Sequence, residues 1–128
     1  ERCARYSDNR DYPWGYDVPD CLYANIYQDG DYCIGWTAPI DAHPNGDNSL
    51  GVHDMAGNLW EWVNDWCDDY SPEPQTDPIG PSTGVWRVYR GGGFGTEWMY
   101  IHSAYRNYSA PSLTDDSIGF RICRTATP

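Results

Sequence analysis

Lysine is absent from this chain. Its 128 residues carry eight cationic side chains, all of them arginine, against 19 carboxylates, for a formal net charge of −11. A surface so short of cations cannot displace counterions from phosphates, which excludes nucleic acid and anionic membrane as partners. No apolar run reaches the length of a membrane-spanning helix, so membrane insertion is excluded, and no signal peptide is visible. Zinc motifs are missing too: there is no CxxC pair and no Cys/His cluster. His43, His53 and His102 stand at no spacing that makes a metal triad. The carboxylate surplus itself has two readings, solubility or bound divalent cations.

What is present is aromatic. Phenylalanine and methionine occur twice each, while tyrosine occurs 11 times and tryptophan 7. Much of the apolar surface therefore comes from side chains that keep a polar handle and serve equally in cores and in ligand clefts. The length allows one domain with a modest core. Thirteen glycines and ten prolines favour turns and irregular loops over long helices. Five cysteines, Cys3, Cys21, Cys33, Cys67 and Cys123, favour an oxidising compartment, and their odd number leaves at least one thiol free or paired to another molecule.

Along the chain, Pro13-Trp14-Gly15 forms a tight corner. Short strand-like pieces follow through residue 50, broken at Asp-Gly, Asn-Gly and proline. Leu59, Trp62, Val63 and Trp66 recur at helical spacing and predict one helix from about Met55 to Trp66, with Asn58 as its N-cap and Glu61 as the capping-box partner. Four prolines between residues 70 and 84 preclude a regular element there. Val85–Arg90 alternates as a strand and runs into Gly91-Gly92-Gly93. That run lacks the Lys-Ser/Thr ending of a phosphate loop, so tight geometry with φ > 0 explains it better. Residues 118–123 predict a last core strand. The expected fold class is α+β: one irregular domain over residues 1–128, with short strands, one main helix and long loops.

The segment Leu50-Gly-Val-His-Asp-Met-Ala-Gly-Asn-Leu-Trp-Glu-Trp62 resembles the signature of the formylglycine-generating-enzyme (sulfatase-modifying-factor) family. Tyr12-Pro-Trp-Gly15, Thr37-Ala-Pro-Ile-Asp41, Arg87-Val-Tyr-Arg-Gly-Gly92, Ser103-Ala-Tyr-Arg106 and Gly119-Phe-Arg121 fall in the family's order. The opening resembles a segment midway through the family domain, so the chain looks N-terminally truncated, like the C-terminal half alone. The resemblance implies a C-type-lectin-like fold held by a small sheet, loops and bound calcium.

It also implies particular sites. One calcium site would take a side-chain oxygen of Asp54, the carbonyls of Gly57 and Leu59, and Glu61; the plain alternative is a capped helix without metal. A second would use Asn25, the Ile26 carbonyl and Asp31, with an ordinary Asp-Gly turn as the alternative. One or two Ca²⁺ ions are thus expected, since carbonyl-rich, flexible sites suit the larger ion. Cys3 and Cys123 match a family bridge, and Cys21 and Cys33 flank the second calcium loop as a further pair. That leaves Cys67, as a buried inert thiol or, less simply, a dimer contact. Arg106 and Arg121 match structural positions and read as buried ion-pair partners.

Active oxygen-dependent members of the family carry two copper-binding cysteines in the region that corresponds to Gly91–Arg106. Here that region holds none, and Thr96 stands near where one would be. Hydroxyls do not replace thiolates in this chemistry, because sulfur alone is soft enough for Cu(I) and redox-active. No copper is expected, and the balance leans away from an enzyme. Phe94, Trp98, Tyr100, His102, Tyr105 and Tyr108 cluster nearby, either as a ligand-binding surface or as packing beneath loops. The function expected is a non-catalytic, calcium-stabilised, secreted, extracellular or periplasmic lectin-like module. It would bind a glycan or protein ligand, or build an assembly with a partner chain or with itself. The alternatives are a divergent formylglycine-generating oxidase and a retroelement-diversified variable protein. Asn107-Tyr-Ser109 is a glycosylation sequon, relevant where the source glycosylates.

Overall fold

Strands in this chain are short because turn residues interrupt every extended run. The computed structural model describes Ala4, residues 9–76 and residues 78–122. Two strands, β1 (Tyr27–Gln28) and β2 (Asp31–Tyr32), form an antiparallel hairpin. Its two-residue turn, Asp29-Gly30, has both φ values positive, at 53° and 90°, as a primed turn requires. The remaining strands are β3 (Trp60–Trp66), β4 (Arg87–Arg90), β5 (Asn107–Ser109) and β6 (Ile118–Gly119). They make one four-stranded sheet in the order β5-β4-β3-β6. Neighbours are antiparallel except β3 and β6, which run parallel. Single 3₁₀ turns occupy Pro44–Gly46 and Trp98–Tyr100.

The expected helix over Met55–Trp66 is instead the approach to β3 and β3 itself. Asp54, Gly57 and Asn58 have positive φ values of 51°, 80° and 68°, which no right-handed helix admits. After them, Trp-Glu-Trp-Val-Asn-Asp-Trp is rich in aromatic and β-branched residues that fit a pleated sheet better than a helical surface. Asn58 caps nothing. It ties loops together, with its N–H donated to the Asn25 carbonyl at 2.8 Å and its own carbonyl accepting the Phe94 N–H at 2.9 Å. The main helix of the expected α+β fold is thus a strand, and the described residues are mostly sheet and loops with few helical residues.

The last core strand expected over residues 118–123 is reduced to β6, with Phe120 and Ile122 exposed beyond it, while the expectations for the corner and the glycine run hold. Tyr12 and Gly15 exchange backbone hydrogen bonds of 2.9 and 3.0 Å across the Pro13-Trp14 corner. Gly91 and Gly92 sit at φ of 92° and 85°. A side chain on Gly92 would meet Ile101 at 2.5 Å, so the glycine lets Ile101 pack with no exposure at all. Ile101 joins Tyr12, Ala24, Ile26 and Ala56 in the core, with Trp14, Cys33 and Trp98 against it. The structure bonds Cys21 to Cys33, while the Cys3–Cys123 pairing lies outside the described residues.

Candidate functional site

Alternation along β4 divides the sheet's chemistry between two faces. Tyr89 points to one side and meets Trp60 and Trp62 edge-on, at centroid distances of 5.1 and 5.2 Å. Tyr105 continues this cluster, 6.1 Å from Trp60 and 5.4 Å from Tyr100. Val88 and Arg90 point to the other side, where the segment after β3 folds over them.

The glycine loop lies beside the first face. Gly93 packs against Trp60, with only 3.1 Å between a side chain placed there and the indole edge. Thr96 closes this loop twice over: its Oγ1 accepts the Gly93 N–H at 2.9 Å, and its own N–H donates to the Gly93 carbonyl at 2.9 Å. The hydroxyl near the expected cysteine position is therefore a turn-forming group.

The six aromatic residues of the predicted ligand surface do not converge on one patch. Phe94 tilts against Trp36 at 5.6 Å, and Trp98 packs against the core. His102 stacks on Tyr12 at 4.7 Å, and its Nε2 lies 3.2 Å from the Tyr12 hydroxyl. That stack extends through Trp14 to Tyr23. Tyr100 and Tyr105 belong to the Trp60 cluster, whereas Tyr108 sits beyond β4 beside Trp86. Tyr12 is buried, and burial followed by the Asp11 charge pushes its phenol above the usual value of 10.

The two loops with implied calcium ligands differ in how far their oxygens are already engaged. At Asn25 the side chain is 1% exposed; Nδ2 donates to the Trp36 carbonyl at 2.7 Å, and Oδ1 is buried without a hydrogen-bond partner. A buried amide oxygen left over in this way is the donor that a hard cation takes. The adjacent Ile26 carbonyl accepts the Cys33 N–H at 2.9 Å and keeps a second lone pair. Asp31 is exposed in β2, with Oδ1 accepting the Tyr32 N–H at 2.8 Å. The residues around Asn25 thus fit a calcium ion in donor type.

At the other loop, Arg121 grips the Glu61 carboxylate with Nε at 2.6 Å and with Nη2 as well, and Nη2 also donates to the Asp54 carbonyl at 2.9 Å. A guanidinium therefore already sits between the two implied ligands. The Gly57 carbonyl accepts the Leu59 N–H at 2.9 Å, and the Leu59 carbonyl faces Gly91. Burial lifts the Asp54 carboxyl above its usual 3.8, with His43, Arg121 and His53 pulling against it. Among the described residues no three His, Cys, Asp or Glu side chains are grouped to hold a metal. Any cation here would lean on carbonyl and amide oxygens.

Both arginines depart from the expected buried ion pairs. Arg121 is paired but exposed. Arg106 is half-buried and lays its guanidinium on the Tyr70 ring, 4.0 Å from the centroid. Tyr70 is itself held by Arg90, whose Nη2 donates to the phenol at 3.1 Å while Nη1 donates to the Ala104 and Tyr105 carbonyls. These groups open onto a cleft of about 760 Å³, which shares Asp68, Asp69 and Arg106 with a neighbouring hollow of about 310 Å³ lined by Cys67, Trp86 and Tyr108. Nothing in the spacing of these residues marks them as one site. Cys67 is half-buried with a free thiol at the hollow's edge.

Residues 1–126 match the sulfatase-modifying factor enzyme 1-like domain. The chain is 32% identical to the formylglycine-generating enzyme of mouse over 139 aligned positions, covering 98% of this chain and 37% of that protein. Its structure is similar to that of PvdO from Pseudomonas aeruginosa, with a TM-score of 0.74, 29% identity, and coverage of 93% of this chain and 47% of that one. It also shares its fold with variable protein 1 of Treponema denticola, with a TM-score of 0.77 at 24% identity over 92% of this chain and 42% of the other. The chain thus spans well under two thirds of the relatives' length. Through a match that runs from the first residue to the 126th, it belongs to the sulfatase-modifying factor family.

Proposed function

We propose that the chain is a non-catalytic, calcium-stabilised extracellular module of lectin type that binds a glycan or protein ligand. One observation carries this reading: Thr96, near an expected cysteine position, spends its hydroxyl on the Gly93 N–H, and no thiol occurs between Gly91 and Arg106. A scaffold that keeps the family's loops without their sulfur retains shape and surface and lacks the nucleophile. Asn25 and the Ile26 carbonyl would hold the calcium ion, which supplies charge that draws loop oxygens together. The Cys21–Cys33 disulfide supports a secreted setting, and no helix among the described residues is long and apolar enough to cross a membrane.

The test is direct. The protein is incubated with Cu(I), oxygen, a reductant and a cysteine-containing sulfatase peptide, and the peptide is followed by mass spectrometry. Unchanged cysteine is the expected result. Conversion of the cysteine to an aldehyde overturns the reading in favour of a divergent formylglycine-generating oxidase.

A further inference from the structure

The double cleft on the far face of β4 has a composition and rigidity that suit one ligand class. Trp86, Tyr108 and Tyr70 stand at its rim with relative exposures of 45%, 53% and 64%, and Tyr70 carries the Arg106 guanidinium on one ring face. Trp86 and Tyr108 lie 6.3 Å apart, tilted by 54°, and form one wall. Large aromatic rings left exposed around a concavity are far from neutral, since burying them against one another would release the same hydration cost. Beside the rings lie planar polar groups: the exposed Asp68 and Asp69, which line both hollows, and the Arg106 guanidinium.

The arginine is fixed before any ligand arrives. It lies on Tyr70, Tyr70 is hydrogen-bonded by Arg90, and Arg90 is anchored on two backbone carbonyls. Holding donors and aromatic faces in place lowers the ordering cost of binding. Carboxylates accept hydroxyl hydrogens, a guanidinium donates to hydroxyl oxygens in a fixed fork, and an aromatic face attracts the weakly positive C–H edge of a sugar ring. Each of the two hollows, at about 760 and 310 Å³, is of the size that small-molecule sites occupy, roughly 300–1,000 Å³. Carboxylates outnumber arginines along the wall, with Asp65 and Glu73 added to Asp68 and Asp69, so an anionic ligand meets repulsion.

We infer that this cleft binds an uncharged oligosaccharide, with Trp86 and Tyr108 as stacking platforms and Asp68, Asp69 and Arg106 as the hydroxyl-reading groups. The inference rests on the reading of the chain as a binding module; of the six aromatic residues expected to bind ligand it keeps Tyr108 alone, and it places the site on the opposite face of the sheet from Tyr100 and Tyr105.

The experiment is titration calorimetry of the intact chain with neutral tetrasaccharides of β-linked glucose, xylose, mannose and N-acetylglucosamine, beside sulfated and uronate-containing counterparts. At least one neutral probe binds, and its sulfated counterpart binds at least ten-fold more weakly. Trp86→Ala and Asp69→Asn each weaken binding ten-fold or more. Tyr108→Ser, at an exposed edge-strand position, does the same where the tryptophan variant fails to fold. Tyr100→Ala, on the other face, changes binding less than two-fold. Failure of every neutral probe at millimolar concentration overturns the inference. So does binding that responds to Tyr100→Ala and ignores Asp69→Asn, and that outcome leaves the binding-module reading intact. The peptide-oxidation assay judges that reading independently.

Discussion

The Asn58 side chain brackets the peptide of Ala38: Oδ1 accepts the Ala38 N–H at 2.7 Å, and Nδ2 donates to the Ala38 carbonyl at 3.2 Å. Asn25 Nδ2 donates a second hydrogen bond to the same Oδ1 at 3.3 Å. One amide, 8% exposed, thus pins the 25, 38 and 58 loops where no sheet does. Asn58→Ala strands these groups in a buried site, at about 1–3 kcal/mol for each orphaned partner. Urea unfolding should show a loss of about 3 kcal/mol, against about 0.5 kcal/mol or less for the exposed control Asn64→Ala.

Gly46 is as constrained by space as Asn58 is by hydrogen bonds. A methyl group there would lie 1.8 Å from the Tyr23 carbonyl oxygen and 2.9 Å from its carbon. Backbone, unlike a flexible side-chain end, cannot swing away. Gly46→Ala should cost about 3 kcal/mol or more, read as a lowered unfolding midpoint or as loss of soluble protein.

The Cys21–Cys33 bond closes a loop of 12 residues' separation around the hairpin and Ile26. Chain-entropy reasoning assigns such a loop about 3 kcal/mol. A Cys21→Ser, Cys33→Ser double variant should lose that much in a denaturant melt. Reductant should affect the parent chain far more than the variant.

Legibility in the sequence followed locality. The Asp29-Gly30 hairpin, the Pro13-Trp14 corner and the positive φ of Gly91 and Gly92 are each decided within a few residues, where turn chemistry is strong. The segment before Trp66 misled because Leu59, Trp62, Val63 and Trp66 fit a helical stripe, while Trp60, Trp62 and Trp66 fit a strand equally well. What decides is remote: Glu61 pairs with Arg90 on one side and Gly119 on the other. The cleft was illegible for the same reason. Asp69, Trp86 and Arg106 meet only because β3, β4 and β5 are neighbours.

Three tyrosines report their surroundings through pH. Tyr12 and Tyr89 are raised above the usual 10 chiefly by burial, and Tyr23 chiefly by the Asp17 carboxylate. Each ionises more readily in the unfolded chain, so the unfolded state loses protons first as pH rises past 10. The stability each gives is complete below 10 and is lost as pH climbs toward the folded value. Ultraviolet titration of phenolate should show a late-ionising group of tyrosines and alkaline unfolding above pH 10. Tyr12→Phe should remove one member of that group and the hydrogen bond to His102.

The central claim is that a family scaffold without its thiols persists as a calcium-held module, and a thermal melt in calcium against a strong chelator tests it most directly. Calcium present at about a hundred times its dissociation constant adds roughly 2.7 kcal/mol. For a domain of this size that is roughly 10 °C in Tm, and Asn25→Ala, which removes the buried, unpartnered Oδ1, should abolish the difference. Identical melts in calcium and chelator, with Asn25→Ala no different in its response, would contradict the account and leave the loops to the disulfide and the Asn58 hydrogen bonds.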